Sequence, residues 1–451
     1  MKYKYTGLLA LTLSAAMLFT ACAAPEAAAD TVQTDAVKTV ELSQTIDGAA
    51  ADGLSSEGTD LTGAAADAFS KRDLSGEYDA AEAVAIALNG TSISCASGAV
   101  TVAGTVATIT AAGTYILSGT LENGGIIVDV SKEDKVQLVL SGVTIHSDSY
   151  AAIYVWQADK VFVTLADGTV NELSNGGTFT QIDDNNVDGV IFSKDDLTLN
   201  GTGTLKLSSP AKHGIVCKDD LVIAGGVYEI AAASHAIAAK DSLSIAGGTF
   251  TLTAGKDGIH AENSDDGTLG NVYIAGGTFA IDSGDDGIHA EALVQIDGGT
   301  FDITAYEGIE GNYVRINDGT IDIEASDDGI NAARKSNAYT PTIEINGGEL
   351  TVAAGPGDTD CIDSNGDLVI TGGTIDVTGN STFDVDGSVT FTGGTVIVNG
   401  QQVDAIPNQM MGGGKDGRNG AGGQIGEDGQ NSMNGGMGFG RTGGKGGRFS
   451  G

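Results

Sequence analysis

One short phrase returns through the middle of this chain and limits what the chain can fold into. Asp-Gly-Ile-His-Ala-Glu begins at Asp257 and again at Asp286, and variants follow as Glu-Gly-Ile-Glu from Glu307, Asp-Gly-Ile-Asn from Asp328 and Asp-Cys-Ile-Asp from Asp360. Each lies beside Gly-Gly-Thr-Phe or a near relative of it. Aligned on Gly226, Gly248, Gly277, Gly299, Gly319 and Gly348, the regular units are 20 to 22 residues long, and the longer ones carry insertions at 263–270 and 334–341. Both insertions fall just after Gly-Ile, as loops extruded from one corner of a repeated coil do.

The apolar positions fix the register. Leu243 and Ile245, Val272 and Ile274, Val294 and Ile296 precede the glycine turn; Phe250 and Leu252, Phe279 and Ile281, Phe301 and Ile303 follow it; Ile237, Ile259, Ile288, Ile309, Ile330 and Ile362 mark a third segment. Alternation with a period of two in such short segments means strands with one face inward. Three short strands per unit without helical periodicity predict an all-β fold, a single-stranded parallel β-helix of about 12 rungs. A propeller blade needs about twice this length, and a leucine-rich repeat needs a Leu/Asn signature that is absent.

Residues 1–22 have the character of a lipoprotein-type signal peptide: Lys2 and Lys4, an apolar run too short to span a bilayer, and Ala21 before Cys22, the expected lipidation site. Residues 23–75 are expected to be a flexible tether, 76–400 the β-helix and 401–451 a disordered Gly-rich tail. This predicts an exported monomer anchored by lipid at the outer face of the cell membrane. Cys95, Cys217 and Cys361 are odd in number and widely spaced, so neither a disulfide framework nor a thiolate zinc pattern emerges.

A formal charge of −38 repels nucleic acid and anionic membranes and makes cations the natural partners. Stacking the units aligns Asp188, His213, His235, Asp257, Asp286, Glu307, Asp328 and Asp360 in one column, and His260, His289, Glu310, Asn331, Asp363 and Asp384 in a second. Carboxylates about 5 Å apart repel by roughly 3 to 4 kcal/mol at an effective dielectric of 20. Calcium relieves that repulsion, because it takes six to eight oxygen ligands in irregular geometry. The expected ligands are Asp285, Asp286, Glu307, Glu310, Asp327, Asp328, Asp360 and Asp363, with Asp183, Asp184 and Asp188 in a further oxygen-rich loop. A solvated acidic face with turn-forming Asp-Gly pairs is the alternative. Zinc is disfavoured because carboxylates outnumber the histidines, and His213 and His235 are expected to be polar ladder residues.

Tyr306, Tyr313 and Trp156 are candidates for stacking on sugar rings, an aromatic face matching a sugar's C–H face. His260 and His289 can hydrogen-bond sugar hydroxyls or flank the calcium sites. For Trp156, simple edge packing is the competing account. Lys194, Lys218 and Lys240, each followed by Asp, form a charged ladder that needs no function.

The run Ile-Phe-Ser-Lys-Asp-Asp-Leu-Thr-Leu-Asn-Gly-Thr-Gly-Thr-Leu at 191–205 closely resembles a segment of the secreted clostridial-type carbohydrate-binding β-helix proteins. So do His213-Gly214-Ile215-Val216 and the stretches 285–291, 306–311 and 326–332, in the family's order over roughly 113–400. The resemblance implies a right-handed, pectate-lyase-like β-helix that binds calcium and plant cell-wall polysaccharide, with pectin and cellulose as the classes, and no established catalysis. Two alternatives stand beside non-catalytic binding. A polysaccharide lyase would pair calcium with a base such as Lys256, Arg315 or Arg334, and a surface adhesin would use calcium only for rigidity.

Overall fold

The computed structural model describes residues 68–356 and 359–408, all in the second of the chain's two compact units, 56–451. The signal segment with Cys22, most of the tether and the tail from 409 onward lie outside the described residues. Among the described residues there is no α-helix, and all 36 strands belong to one sheet. None of the described segments is a helix long and apolar enough to cross a membrane.

Through the body of the described chain, strands pair in parallel with their counterparts one repeat later, in three ladders. The ladder before the turn aligns Leu221 with Leu243 and Leu243 with Val272. The ladder after it aligns Tyr228 with Phe250, then Phe279, then Phe301. The third aligns Ile237, Ile259, Ile288, Ile309, Ile330 and Ile362 in succession. Pairing of this kind is compatible with a β-helix. Antiparallel hairpins occur only at the two ends of the described chain, at Val84–Gly90 with Ile93–Ser94, Val100–Ala103 with Val106–Ile109, and Thr395–Val398 with Gln401–Val403.

Strands such as Thr249–Ala254 and Thr300–Ala305 alternate exposed and buried residues strictly, so their apolar halves fill the interior. Inside, Tyr228, Phe250, Phe279 and Phe301 stack nearly parallel with centroids 4.6–5.0 Å apart. The glycine before Thr in each turn carries a positive φ: +128° at Gly248 and Gly277 and +115° at Gly299, all in Gly-Gly-Thr, and +126° at Gly319 in Asp-Gly-Thr. Side-chain-bearing residues rarely adopt that conformation, which is why the turn keeps glycine.

The insertions act where the sequence put them. Two coils without one run straight through the corner, giving the long strands Asp286–Ile296 and Glu307–Ile316, whereas others, such as Ile237–Ala239 and Ser242–Ile245, break there over two residues. The insertions at 263–270 and 334–341 split the corresponding path into Ile259–Ala261 and Asn271–Ile274, and into Ile330–Ala332 and Thr342–Ile345.

The end of the stretch expected as tether is packed on the coil. Asp73 is buried, with Lys160 Nζ at 2.8 Å and a hydrogen bond from Thr198 Oγ1 at 2.5 Å. Arg72 lies over the Phe162 ring at 4.3 Å, and Phe69 contacts Tyr273 with centroids 5.7 Å apart. An isolated buried carboxylate is costly, so the Lys160 pair fixes where this segment docks. Packing against the coil therefore begins ahead of residue 76.

Candidate metal centre

The outward side of the third ladder changes chemistry along the stack. Successive aligned positions are Tyr154, Phe192, Val216, Ala238, His260, His289, Glu310, Asn331, Asp363 and Asp384. The first part is an outer apolar cluster of Tyr154, Phe192, Val216 and Ala238, covered by Val187. Imidazoles follow, then acids.

The four imidazoles form one continuous stack. His213, His235, His260 and His289 lie with centroids 4.9, 4.1 and 4.9 Å apart and interplanar angles of 5°, 22° and 19°. His213 and His235 accept the backbone N–H groups of His235 and Asp257 on Nδ1, both at 3.3 Å. Burial pushes His213 down to about 3, and neighbouring His235 adds to the effect. His235 is also lowered, by burial against the opposing pull of Asp257.

Three coils later the carboxylates converge. Asp286, Glu307 and Glu310 each place an oxygen within 4.8 Å of the others. His289 Nδ1 lies 2.6 Å from Asp286 and 2.9 Å from Glu310, and Lys335 Nζ lies 2.6 Å from Glu310. Burial lowers the affinity of His289 for its proton, but the bonds to Asp286 and Glu310 outweigh it and raise the ring to about 10. Burial likewise opposes ionisation of Glu310, yet His289 and Lys335 hold it down at about 2.

Glu307 has no such cation. Burial, then the charges of Glu310 and Asp286, push it up to about 8, despite a hydrogen bond from Asn331 Nδ2 at 3.1 Å. Burial first, and Glu310 among the neighbours, also raise Asp286 to about 6. Asn331 is 8% exposed, and its Oδ1 is buried without a hydrogen-bond partner. An oxygen set short of positive charge, with an orphaned amide oxygen beside it, matches what a hard divalent cation requires.

The other expected residues are distributed as follows. Asp328 accepts the Asp360 N–H at 2.8 Å, and Ser381 bonds Asp360. Burial, with Asp328 and Asp360 nearby, raises Asp363 to about 7. Asp285 is exposed, and Asp327 accepts the Tyr306 hydroxyl. In the loop, Asp183 accepts from Tyr154 Oη at 2.7 Å, Asp184 is exposed, and Asp188 Oδ2 lies 3.7 Å from His213 Nε2. Among the described residues these three do not gather into a ligand cluster.

Of the aromatic candidates, Tyr306 is 47% and Trp156 38% exposed, with Lys194 Nζ 5.7 Å from the indole centroid. Tyr313 is instead tied by its hydroxyl to Glu344 at 2.5 Å and lies edge-on to Tyr339. His260 and His289 commit Nδ1 to Asp257 and Asp286, both at 2.6 Å.

The sequence pattern did not point to Lys335. It sits in the non-repeating insertion, so no column locates it, although an insertion at the Gly-Ile corner must return close to the acids. A further carboxylate cluster of Asp196, Asp219 and Asp220 also went unrecognised. Its members spread over two coils beside an apparently ordinary Lys-Asp ladder.

The coil and its acidic corner belong to a recognised class. Residues 103–359 and 305–404 match the carbohydrate-binding domain-containing protein family, and the chain is a member of it. A carbohydrate-binding domain-containing protein from Acetivibrio thermocellus is 40% identical over 126 residues, 28% of this chain and 44% of the relative. This chain thus spans less than half the length of that relative. A solved structure described as a polysaccharide lyase-like protein from C. thermocellum, in a gadolinium derivative, is 32% identical, covering 54% of this chain and 94% of that one with a TM-score of 0.46.

Proposed function

We propose that this protein binds acidic plant cell-wall polysaccharide, pectin or polygalacturonate, through calcium held on the third ladder, and that it does so without catalysis at the bacterial cell surface. Cellulose is the second expected ligand, taken up on exposed aromatic faces such as Trp156 and Tyr306. The reading includes a right-handed, pectate-lyase-like β-helix and a lipid anchor at Cys22. The observation that carries it is the convergence of Asp286, Glu307 and Glu310 from successive coils, with Asn331 bonded to Glu307 through Nδ2 and its buried Oδ1 left without a partner.

Calcium would be held by Asp286, Glu307, Glu310 and Asn331. When bound it supplies positive charge that a uronate carboxylate can share. The chain's own groups position it: Lys335 and His289 neutralise Glu310, and Asn331 fixes one oxygen of Glu307. Family membership supports a carbohydrate ligand.

A lyase would need a free base beside the site. Arg315, one named candidate, is paired to Glu344 at 2.9 Å and lies over the Tyr313 ring, which favours binding over elimination. Retention on immobilised polygalacturonate, with and without excess chelator, tests the reading. Binding that disappears with chelator and returns with calcium supports it. Unchanged retention in chelator, or steady release of unsaturated uronides, overturns it.

A further inference from the structure

The imidazole stack meets the acid column at Asp257, and there the ligand chemistry differs from that of the oxygen cluster. Oδ2 of Asp257 lies 3.0 Å from Nδ1 of His235 and 2.6 Å from Nδ1 of His260. The carboxylate is held in place because its other oxygen accepts the Asp286 N–H at 3.2 Å. It therefore offers one oxygen toward the rings.

We propose that His235, Asp257 and His260 form a binding site for a first-row transition-metal ion of the Zn2+ type, separate from the oxygen cluster at Glu307. Both Nδ1 atoms converge on the same carboxylate oxygen, at 3.0 and 2.6 Å, where Nδ1–H groups of neutral imidazoles otherwise fill the gap. A single metal ion replaces both protons, provided that His235 Nδ1 gives up its 3.3 Å contact with the Asp257 N–H.

The surroundings fit. The far nitrogen of His260, Nε2, faces Glu262 Oε2 at 3.4 Å, the carboxylate partner that orients a ligating imidazole and raises its basicity. The His213 ring, stacked 4.9 Å from His235, fixes the plane of that second ring. Bonds of about 2.0–2.2 Å in tetrahedral geometry place ligand atoms roughly 3.3–3.5 Å apart, so the trio must open by less than about 1 Å. Two nitrogens and one monodentate oxygen suit zinc and leave calcium, which needs six to eight oxygens, poorly served. His235 and His260 border a cleft of about 320 Å³ together with Glu262, Lys218, Lys240 and Ser264, which gives an ion an entry path with room for several waters at about 30 Å³ each.

Zn2+ titration calorimetry and Co2+ absorption spectroscopy on the untagged protein, in excess calcium, test this. One equivalent of Zn2+ should bind, and Co2+ should develop the visible bands of a four-coordinate ion. His235→Gln and His260→Gln should each abolish binding, Glu262→Gln should weaken it about 10-fold, and His146→Gln, which lies outside the stack, should leave it intact. Because the spectrum of the unsubstituted protein is itself decisive, misfolding of a variant cannot protect the proposal. A Co2+ spectrum like that of the aqueous ion, displacement by calcium, or full binding in the His235→Gln/His260→Gln double variant would overturn it.

Discussion

The glycine of each Gly-Ile phrase is held by close approach between coils. Gly287 lies inside the strand Asp286–Ile296, and a Cβ there would stand 2.5 Å from both the Gly308 carbonyl oxygen and Ile303 Cγ2. Gly287→Ala should therefore destabilise by about 1–3 kcal/mol through overpacking, measured by urea unfolding. A tight corner was the expectation from sequence, but the periodicity could not show that the residue sits mid-strand against the next coil. His213 supplies a pH signature. Its folded-state value near 3 is below the ordinary imidazole value of about 6.5, so its contribution is complete above about 6.5 and is lost as the pH falls toward 3. His213→Asn should flatten the fall in Tm between about pH 6.5 and pH 3, provided the fold is retained by circular dichroism. Glu307 has the opposite sign. A carboxylate raised to about 8 stabilises the metal-free fold while protonated and loses that contribution as the pH rises from about 4.5 through 8. In chelator, Glu307→Gln should be more stable than the parent protein at pH 9 and little different at pH 5.

At the scale of elements, stability is distributed between neighbouring coils. Phe279 is 1% exposed and stacked on Phe250 and Phe301, so Phe279→Ala should cost about 3–5 kcal/mol by denaturant unfolding. These columns were legible because an inward strand residue recurs once per coil with the same polarity and size. Elements without that recurrence were not. The docked segment around Asp73 and the insertion carrying Lys335 meet the coil through contacts that occur once and follow no repeat, such as Lys160 with Asp73 and Lys335 with Glu310. The imidazole stack was half legible. All four rings were in the two columns, but the stack crosses from the residue two before Ile237 to the residue one after Ile259. Side-chain reach decides that crossing, and alignment alone does not record it.

For the whole molecule, a charge of −38 and a corner where acids from successive coils converge make cation binding the central claim. No single repeat supplies the site, since Asp286 and Glu310 come from different coils. An ion that binds only the folded chain stabilises it by about 2.7 kcal/mol at 100 times its Kd. The direct measurement is the calcium-induced rise in Tm, alongside calcium titration calorimetry, for the parent protein, Asp286→Asn, Glu310→Gln and the double variant. One shared site predicts that either single substitution removes most of the calcium-induced shift and that the double loses hardly more. Calcium shifts of parental size in both single variants, or losses that add independently, would contradict a column-spanning site.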